Sequence, residues 1–492
     1  MQVIIVLGLA LISTRCLSDT AERPREFSYV VNLGDYAKGD GSDETEAIQR
    51  AFDAIPPREW KEGVTADHPG GVLFIPRPPV FYGISRTIRV IERWNTLIRC
   101  ESPVWGSRGM PVNYYFRWIG PDGGTMFEFR SCKGMVVENL SMTGMDEPCW
   151  LEPMKSYNLK PIGRMTRGVT GIQLGPETQV GFQTSMIFDQ LRIADVDTAI
   201  RLGGYPDNGP DVRELSFRLA VLGPFSNYGV IAASGNLANV TFETVSTYGA
   251  KGAKAAFRVD GGELLLLNWN GASAKEVDPD GAEVIINAGG IHIVKAWSEW
   301  WGPFLKTTSP TPPEWTEGTW GSVNSPMILE GVRHYDGGWM HQKVNLKQGN
   351  PVPISIEYDR PVPLHLIGCS LWGGVKLGAT SQATIIDQGT VFIDRDSVGF
   401  TGEGVTRYGR VIHIGTPHPQ NGRLLQPYVV DRRNTPGTGP PSSGVWERGD
   451  AIINIEPDPK VPAKAWRGWV CVQSGEPGKW VPFGALGKEV RK

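Results

Sequence analysis

Phe188-Asp189-Gln190-Leu191-Arg192-Ile193 sets the pattern that decides the fold: apolar, any, polar or small, apolar, any, apolar. It fits again at residues 137–142 and 212–217, and less closely at 242–247 and 266–271. Looser copies follow at residues 293–297, 329–332 and 366–371. The third positions 190, 214, 244, 268 and 295 are separated by 24, 30, 24 and 27 residues. Most copies are followed by a second short apolar run, at residues 199–203, 230–232, 256–259 and 284–286. Two or three short strands per period of this length, with no helix between them, make one coil of a solenoid. A single coil cannot bury its inward side chains; stacking coils about 4.8 Å apart buries them. The longer gaps from 295 to 331 and from 331 to 368 hold loops that leave the coil, and residues 310–320 lie in one of them.

Composition bounds the function. The chain has 492 residues, 40% hydrophobic and 21% charged, so it can bury a large core and is not disordered. A net charge of −3 argues against a nucleic-acid binder held by phosphate contacts. Glycine (61) and proline (38) imply many turns, and six cysteines are too few for a disulfide scaffold. The apolar run at residues 3–12 is too short to span a bilayer. Cys16 and Ser18 suit the −3 and −1 positions of a cleavage site, although no Lys or Arg precedes the run and Arg15 follows it. We read residues 1–18 as a signal peptide, which predicts a secreted, periplasmic or extracellular protein with no membrane span after its removal. The other reading is an N-terminal strand or tail. Cleavage leaves Cys100, Cys132, Cys149, Cys369 and Cys471, an odd number, and no disulfide is assigned. Neither CxxC nor HExxH occurs.

Residues 43–55 read as the one strong helix. Asp43 is placed to cap it, Glu46 to complete a capping box, and Ala47, Ile48, Ala51, Phe52 and Ile55 form its apolar stripe. Val31-Asn32-Leu33-Gly34-Asp35-Tyr36-Ala37-Lys38-Gly39-Asp40-Gly41-Ser42-Asp43-Glu44-Thr45-Glu46-Ala47-Ile48-Gln49 resembles the opening of the pectin-lyase-like superfamily, in particular its rhamnogalacturonase/epimerase-like (pectate lyase 3) group. Gly70-Gly71-Val72-Leu73-Phe74-Ile75-Pro76 is similar to that group's next block. The resemblance implies an all-β, right-handed parallel β-helix capped by the N-terminal helix, acting on acidic or neutral polysaccharides in an outer groove. Relatives include inverting hydrolases with several carboxylates and Ca-assisted lyases with an Arg or Lys base. The polygalacturonase signatures Asn-Thr-Asp, Asp-Asp, Gly-His-Gly and Arg-Ile-Lys do not occur here, so those catalytic residues cannot be carried over. The expected organisation is a signal peptide at 1–18, a β-helix at 27–407, a linker or extended wrap at 408–441, and a small Trp-rich β module at 442–487. That module's tryptophans suit either its own core or a sugar platform.

Outward positions of the template yield candidate catalytic residues. Its second position reads Asp189, Arg213 and Glu243 in three successive coils, an exposed row with two carboxylates about 10 Å apart across an arginine. Inverting glycosidases place two carboxyl groups about 6.5–9.5 Å apart. The arginine suits a uronate carboxylate, or an enolate in a lyase. The plain alternative is a solvated ion-pair ladder. Asp195 and Asp197 are weak candidates for Ca²⁺, expected only if the protein is a lyase, and are otherwise turn residues. Asn139, Gln190 and Asn268 suggest an amide ladder inside the coil. Trp297, Trp300, Trp301 and Trp339 are candidate sugar platforms, with Trp315, Trp320 and Trp372 nearby, and Glu299 among them is a second catalytic candidate. Together these predict a secreted hydrolase or lyase whose partner is an extracellular, acidic polysaccharide. The alternative is a non-catalytic glycan-binding or structural β-helix of tailspike or adhesin type, which admits a homotrimer.

Overall fold

A computed structural model describes residues 29–57, 70–103, 114–144, 168–175, 182–204, 211–234, 237–274, 277–308, 325, 327–334, 354–360, 362–371, 374–377, 384–388, 390–392, 400–401, 410–413, 434–442, 446 and 448–486. The chain winds into a right-handed parallel β-helix with three sheets, one strand of each per coil. The segment Asp211–Ala232 shows how a coil is made. Its Leu215 pairs with Met186 in the first sheet, Val221 with Arg192 in the second, and Val230 with Ile200 in the third. The first sheet runs from Val30–Asn32 to Arg410–His413.

From Asn139 onward the border between first and second sheets is one residue wide; in the first three coils it is longer, at residues 33–39, 76–80 and 101–115. Asn139, Gln190, Leu219, Thr244, Asn268 and Lys295 take positive φ there, and Gly331 and Gly368 follow. A single left-handed residue turns the strand; for a non-glycine it costs roughly 1–2 kcal/mol, which the stacked coils must impose. Asn139 and Gln190 are half-buried at this corner and Asn268 is exposed, so they do not form an amide ladder inside the coil.

The corner residues also correct the reading of the repeat. Phe188 stacks on Phe217 with ring centroids 5.0 Å apart, and Phe217 on Phe242 at 4.5 Å. Phe217, not Val212, therefore opens the template in that coil. The true corner residues 190, 219 and 244 are 29 and 25 residues apart. The slip has a physical cause. The border between third and first sheets also turns on left-handed residues, Ser185, Glu214 and Asn239, so residues 212–217 match the same pattern. At the real corner an apolar residue, Leu219, stands where the template asks for a polar one.

Helix α1, Thr45–Asp53, caps the N-terminal end, burying Ile48, Ala51 and Phe52, with Phe52 5.9 Å from Phe127. Glu44, not Asp43, stands at the N-cap and makes no side-chain cap bond; Asp43, one residue before it, accepts with Oδ1 from Thr45 N at 3.1 Å and from Thr45 Oγ1 at 2.6 Å. The capping box does not form. Glu46 pairs with Arg86, and Glu44 folds back to accept from Gly39 N at 2.9 Å. The C-terminal module is a four-stranded sheet that opens with Asn434–Gly437. Trp446, Ile452, Trp469 and Cys471 form its core, with Trp480 packed against it. Cys100, Cys132, Cys369 and Cys471 are buried free thiols; Cys149 lies outside the described residues.

Candidate functional site

The length of the corners singles out one face. From Asn139 onward the first-to-second border turns on one residue, whereas the chain lengthens at the other two. Residues 144–169 and 335–353 join second sheet to third, and 308–326 join third to first. From Asn139 onward the third sheet alone has such lengthened connections at both of its borders. Its outward side chains are correspondingly more covered: Arg258 and Asp260 are 29% and 21% exposed, against 47% and 41% for Arg218 and Glu243 on the first sheet. The strands of this sheet supply a rigid floor between those connections.

The floor has a continuous outward column. Gln173, Arg201, Ile231, Arg258, Ile285, Lys306, Glu357 and Lys376 pair in that order, one per coil. Arg201, Arg258 and Lys306 thus recur every second coil, about 10 Å apart. Lys306 lies 4.0 Å from Glu357, which offsets part of its charge. At the centre, Arg258 Nε donates to Asp260 Oδ1 at 2.9 Å and Nη1 donates to the Tyr228 hydroxyl oxygen at 3.1 Å. Lys254 Nζ and Arg258 Cζ lie 5.9 and 5.4 Å from the Tyr228 ring centroid. Burial acts against the Arg258 charge, but Asp260 and Tyr228 outweigh it and hold its pKa above the ordinary arginine value. Sequence reading missed this cluster. Its signal lies in the second apolar run of each coil, at 230–232 and 256–259, where Tyr228 and Asp260 stand just outside the runs.

The expected catalytic row lies elsewhere. Asp189 and Glu243 do share one outward column, but on the first sheet, and Arg218 stands between them rather than Arg213. Arg213 pairs instead with Thr184 and Ala238, one position before the left-handed Glu214. Arg218 lies 3.6 Å from Glu243, and both are exposed. Exposed pairs contribute about 0–1 kcal/mol. Asp189→Asn and Glu243→Gln should therefore shift stability by less than about 1 kcal/mol in chemical denaturation. A larger loss would show that the row holds the coil together.

Asp195 and Asp197 do not converge on one ion. Buried Asp195 accepts from Thr143 Oγ1 at 3.0 Å, while Asp197 accepts from Ser226 Oγ at 2.9 Å and Asn227 Nδ2 at 2.5 Å. Burial pushes Asp195 up to about 6, against the bond from Thr143 and the charge of Arg192. Among the described residues no three His, Cys, Asp or Glu side chains gather as metal ligands.

The tryptophans divide. Trp297 is 43% exposed on the outer face of the second sheet, and its Nε1 donates to Glu299 Oε1 at 3.1 Å. Trp300 is fully buried against Gly249, where a Cβ would come within 2.7 Å of its ring, so it is core and not a platform. Trp301 is half-buried, its backbone N bonded to Ser273 Oγ at 3.0 Å. Trp339 lies outside the described residues, as do Trp315, Trp320 and Trp372. By chain position, Trp315 and Trp320 fall in the connection at one border of the third sheet and Trp339 in that at the other.

No family model and no curated protein matches the chain. Solved structures that it is similar to include a Geobacillus virus E2 protein, ORF18, with 11% identity over 92% of this chain and 76% of that one, TM-score 0.43. Another is the A-module of the mannuronan C-5 epimerase AlgE4 of Azotobacter vinelandii, with 12% identity, 81% and 98% coverage and TM-score 0.44. A third is the tailspike gp49 of Acinetobacter baumannii bacteriophage Fri1, described as a capsular polysaccharide depolymerase, with 11% identity, 85% and 68% coverage and TM-score 0.41.

Proposed function

We propose that the protein takes an extended acidic polysaccharide along the outer face of its third sheet and cleaves it there, by hydrolysis or β-elimination. The carrying observation is the outward column in which Arg201, Arg258 and Lys306 alternate with Ile231 and Ile285. A polymer laid along that floor meets a cation at every second coil and an aliphatic side chain between. Arginine and lysine suit carboxylate or sulfate groups, and isoleucine suits an apolar sugar face. The sequence supports this reading with Trp315, Trp320 and Trp339 in the connections at the borders of that sheet, a residue type suited to stacking on sugars. Glu299 and Trp297 sit one face away and are proposed as contacts for a chain that overlaps the border. An extracellular location is proposed with it, on the strength of residues 1–18. Among the described residues no helix is long and apolar enough to cross a membrane.

A polysaccharide panel tests this reading. Acidic polymers should be retained, with retention falling as salt rises, and at least one should gain reducing ends. New ultraviolet absorbance at the product's double bond then indicates elimination, and its absence hydrolysis. Retention without cleavage would leave the glycan-binding alternative standing. No retention of any polymer would defeat the groove.

A further inference from the structure

The cation at the centre of the floor is held by a hydrogen-bonded ladder that climbs the stacked coils. Asp260, Asn287 and Thr308 each follow a paired inward residue, Val259, Ile286 and Thr307, so they occupy equivalent places in three successive coils. Thr308 Oγ1 donates to Asn287 Oδ1 at 2.8 Å. Asn287 Nδ2 donates to Asp260 Oδ1 at 2.6 Å. Asp260 in turn accepts from Arg258 Nε at 2.9 Å, and Arg258 Nη1 reaches the Tyr228 hydroxyl oxygen at 3.1 Å in the preceding coil. Four side chains, Tyr228, Asp260, Asn287 and Thr308, thus link four coils around one guanidinium, which is bonded at two of its edges.

We propose that this ladder makes Arg258 and Tyr228 the specificity-determining pair of the groove: Arg258 reads the anionic group of one sugar, and the Tyr228 hydroxyl donates to an oxygen of the same or the adjoining sugar. The inference rests on the groove reading above and deepens it. A guanidinium is planar, and its outer edge binds a carboxylate or sulfate well only when its orientation is fixed. Asp260 fixes it through Nε, and Asn287 keeps Asp260 from rotating away. Because the Tyr228 oxygen already accepts from Arg258, its own proton is directed elsewhere, and the open side of the strand is the groove. The cations over its ring, Lys254 and Arg258, add to the anion preference at this place. Asp260, Asn287 and Thr308 are positioning residues in this scheme: they act on the sugar only through Arg258.

The test measures affinity of the full chain for a polyuronate, for its carboxyl-reduced counterpart and for a sulfated glycan. Wild type should prefer an anionic polymer to the reduced one by about tenfold or more, the scale of one charge-assisted contact. Arg258→Gln should erase that preference while binding of the reduced polymer persists. Asn287→Ala and Thr308→Val should each shrink it severalfold without touching the sugar, and Thr308→Ser should restore it. Melting temperatures of these variants serve as the folding control. If the sulfated glycan is the preferred polymer and Arg258→Gln abolishes that preference, the pair stands and its anion is sulfate. If Asn287→Ala and Thr308→Val keep the full preference, the ladder does not position Arg258 and the proposal falls. Equal wild-type affinity for charged and reduced polymers overturns the anion reader but spares the groove, whereas no affinity for any polymer overturns both.

Discussion

Phe217→Ala will cost the β-helix about 3–5 kcal/mol, the range for deleting a buried phenylalanine ring. Phe217 is fully buried, and its ring lies between those of Phe188 and Phe242, tilted by only 11° and 9°. Removing it opens a cavity that neither neighbour can close, because each is fixed by its own coil. Arg213→Ala should shift stability by less than about 0.5 kcal/mol, since Arg213 is exposed. Urea unfolding of the two variants gives the contrast directly. Neighbouring coils in a solenoid need not unfold together, so the comparison belongs to the transition that carries the central coils. Equal small losses in both variants would mean that the Phe188–Phe217–Phe242 register is wrong.

A second large effect comes from inside the coil, beneath the second sheet. Glu283 is fully buried; its Oε2 accepts from Ser298 Oγ, and its Oε1 has no hydrogen-bond partner. It lies so close to Gly271 that a Cβ there would come within 1.7 Å of Oε1. Burial, outweighing the bond from Ser298 and helped by the charge of Glu299, pushes its pKa up from 4.5 to about 8. The fold therefore holds a proton that the unfolded chain releases, and Glu283's contribution to stability is complete below pH 4.5 and lost as pH rises to about 8. His334 works the other way. Buried in the adjoining coil beside Ser355, it is pushed down from 6.5 to about 4, so its contribution is present above pH 6.5 and lost as pH falls towards 4. Asp195, raised from 3.8 to about 6, adds to the Glu283 slope until pH 6, His334 opposes them up to 6.5, and from 6.5 to 8 Glu283 is the one group of these three still titrating. Stability should fall by about 2 kcal/mol between pH 6.5 and 8, at roughly 1.4 kcal/mol per proton and pH unit. Glu283→Gln should flatten that limb. A wild-type profile already flat there would show that Glu283 is ionised in the fold.

The fold was legible because each coil repeats its inward residues. Val137, Phe188, Phe242, Leu266, Ile293, Leu329 and Leu366 were all placed in one row by the six-residue pattern, and their pairing follows that row. The slip at residues 212–217 arose because two corners of the coil share a left-handed turn residue, so pattern alone cannot tell Glu214 from Leu219. The groove was harder to see. Charged outward residues occur on all three faces, and a column on a solvated face reads like a column on a covered one. Asp189 and Glu243 were found because they abut the repeat, whereas Tyr228, Arg258 and Asp260 come together only once the third sheet is in register. Trp297 and Trp300, three residues apart, have opposite fates for the same reason: strand alternation carries Trp297 outward, and the corner that follows folds Trp300 into the core.

The claim that the third sheet is the working face is tested most directly by reversing one charge on each face and measuring retention of the same acidic polysaccharide. Arg218→Glu changes the first sheet, Arg333→Glu the second and Arg258→Glu the third. The net charge of all three variants falls equally, so a long-range electrostatic effect would weaken them alike. Arg258→Glu should lose at least about tenfold in affinity, while Arg218→Glu and Arg333→Glu stay within about twofold of wild type. Loss of binding in Arg218→Glu with Arg258→Glu unchanged would contradict that claim and move the site to the first sheet.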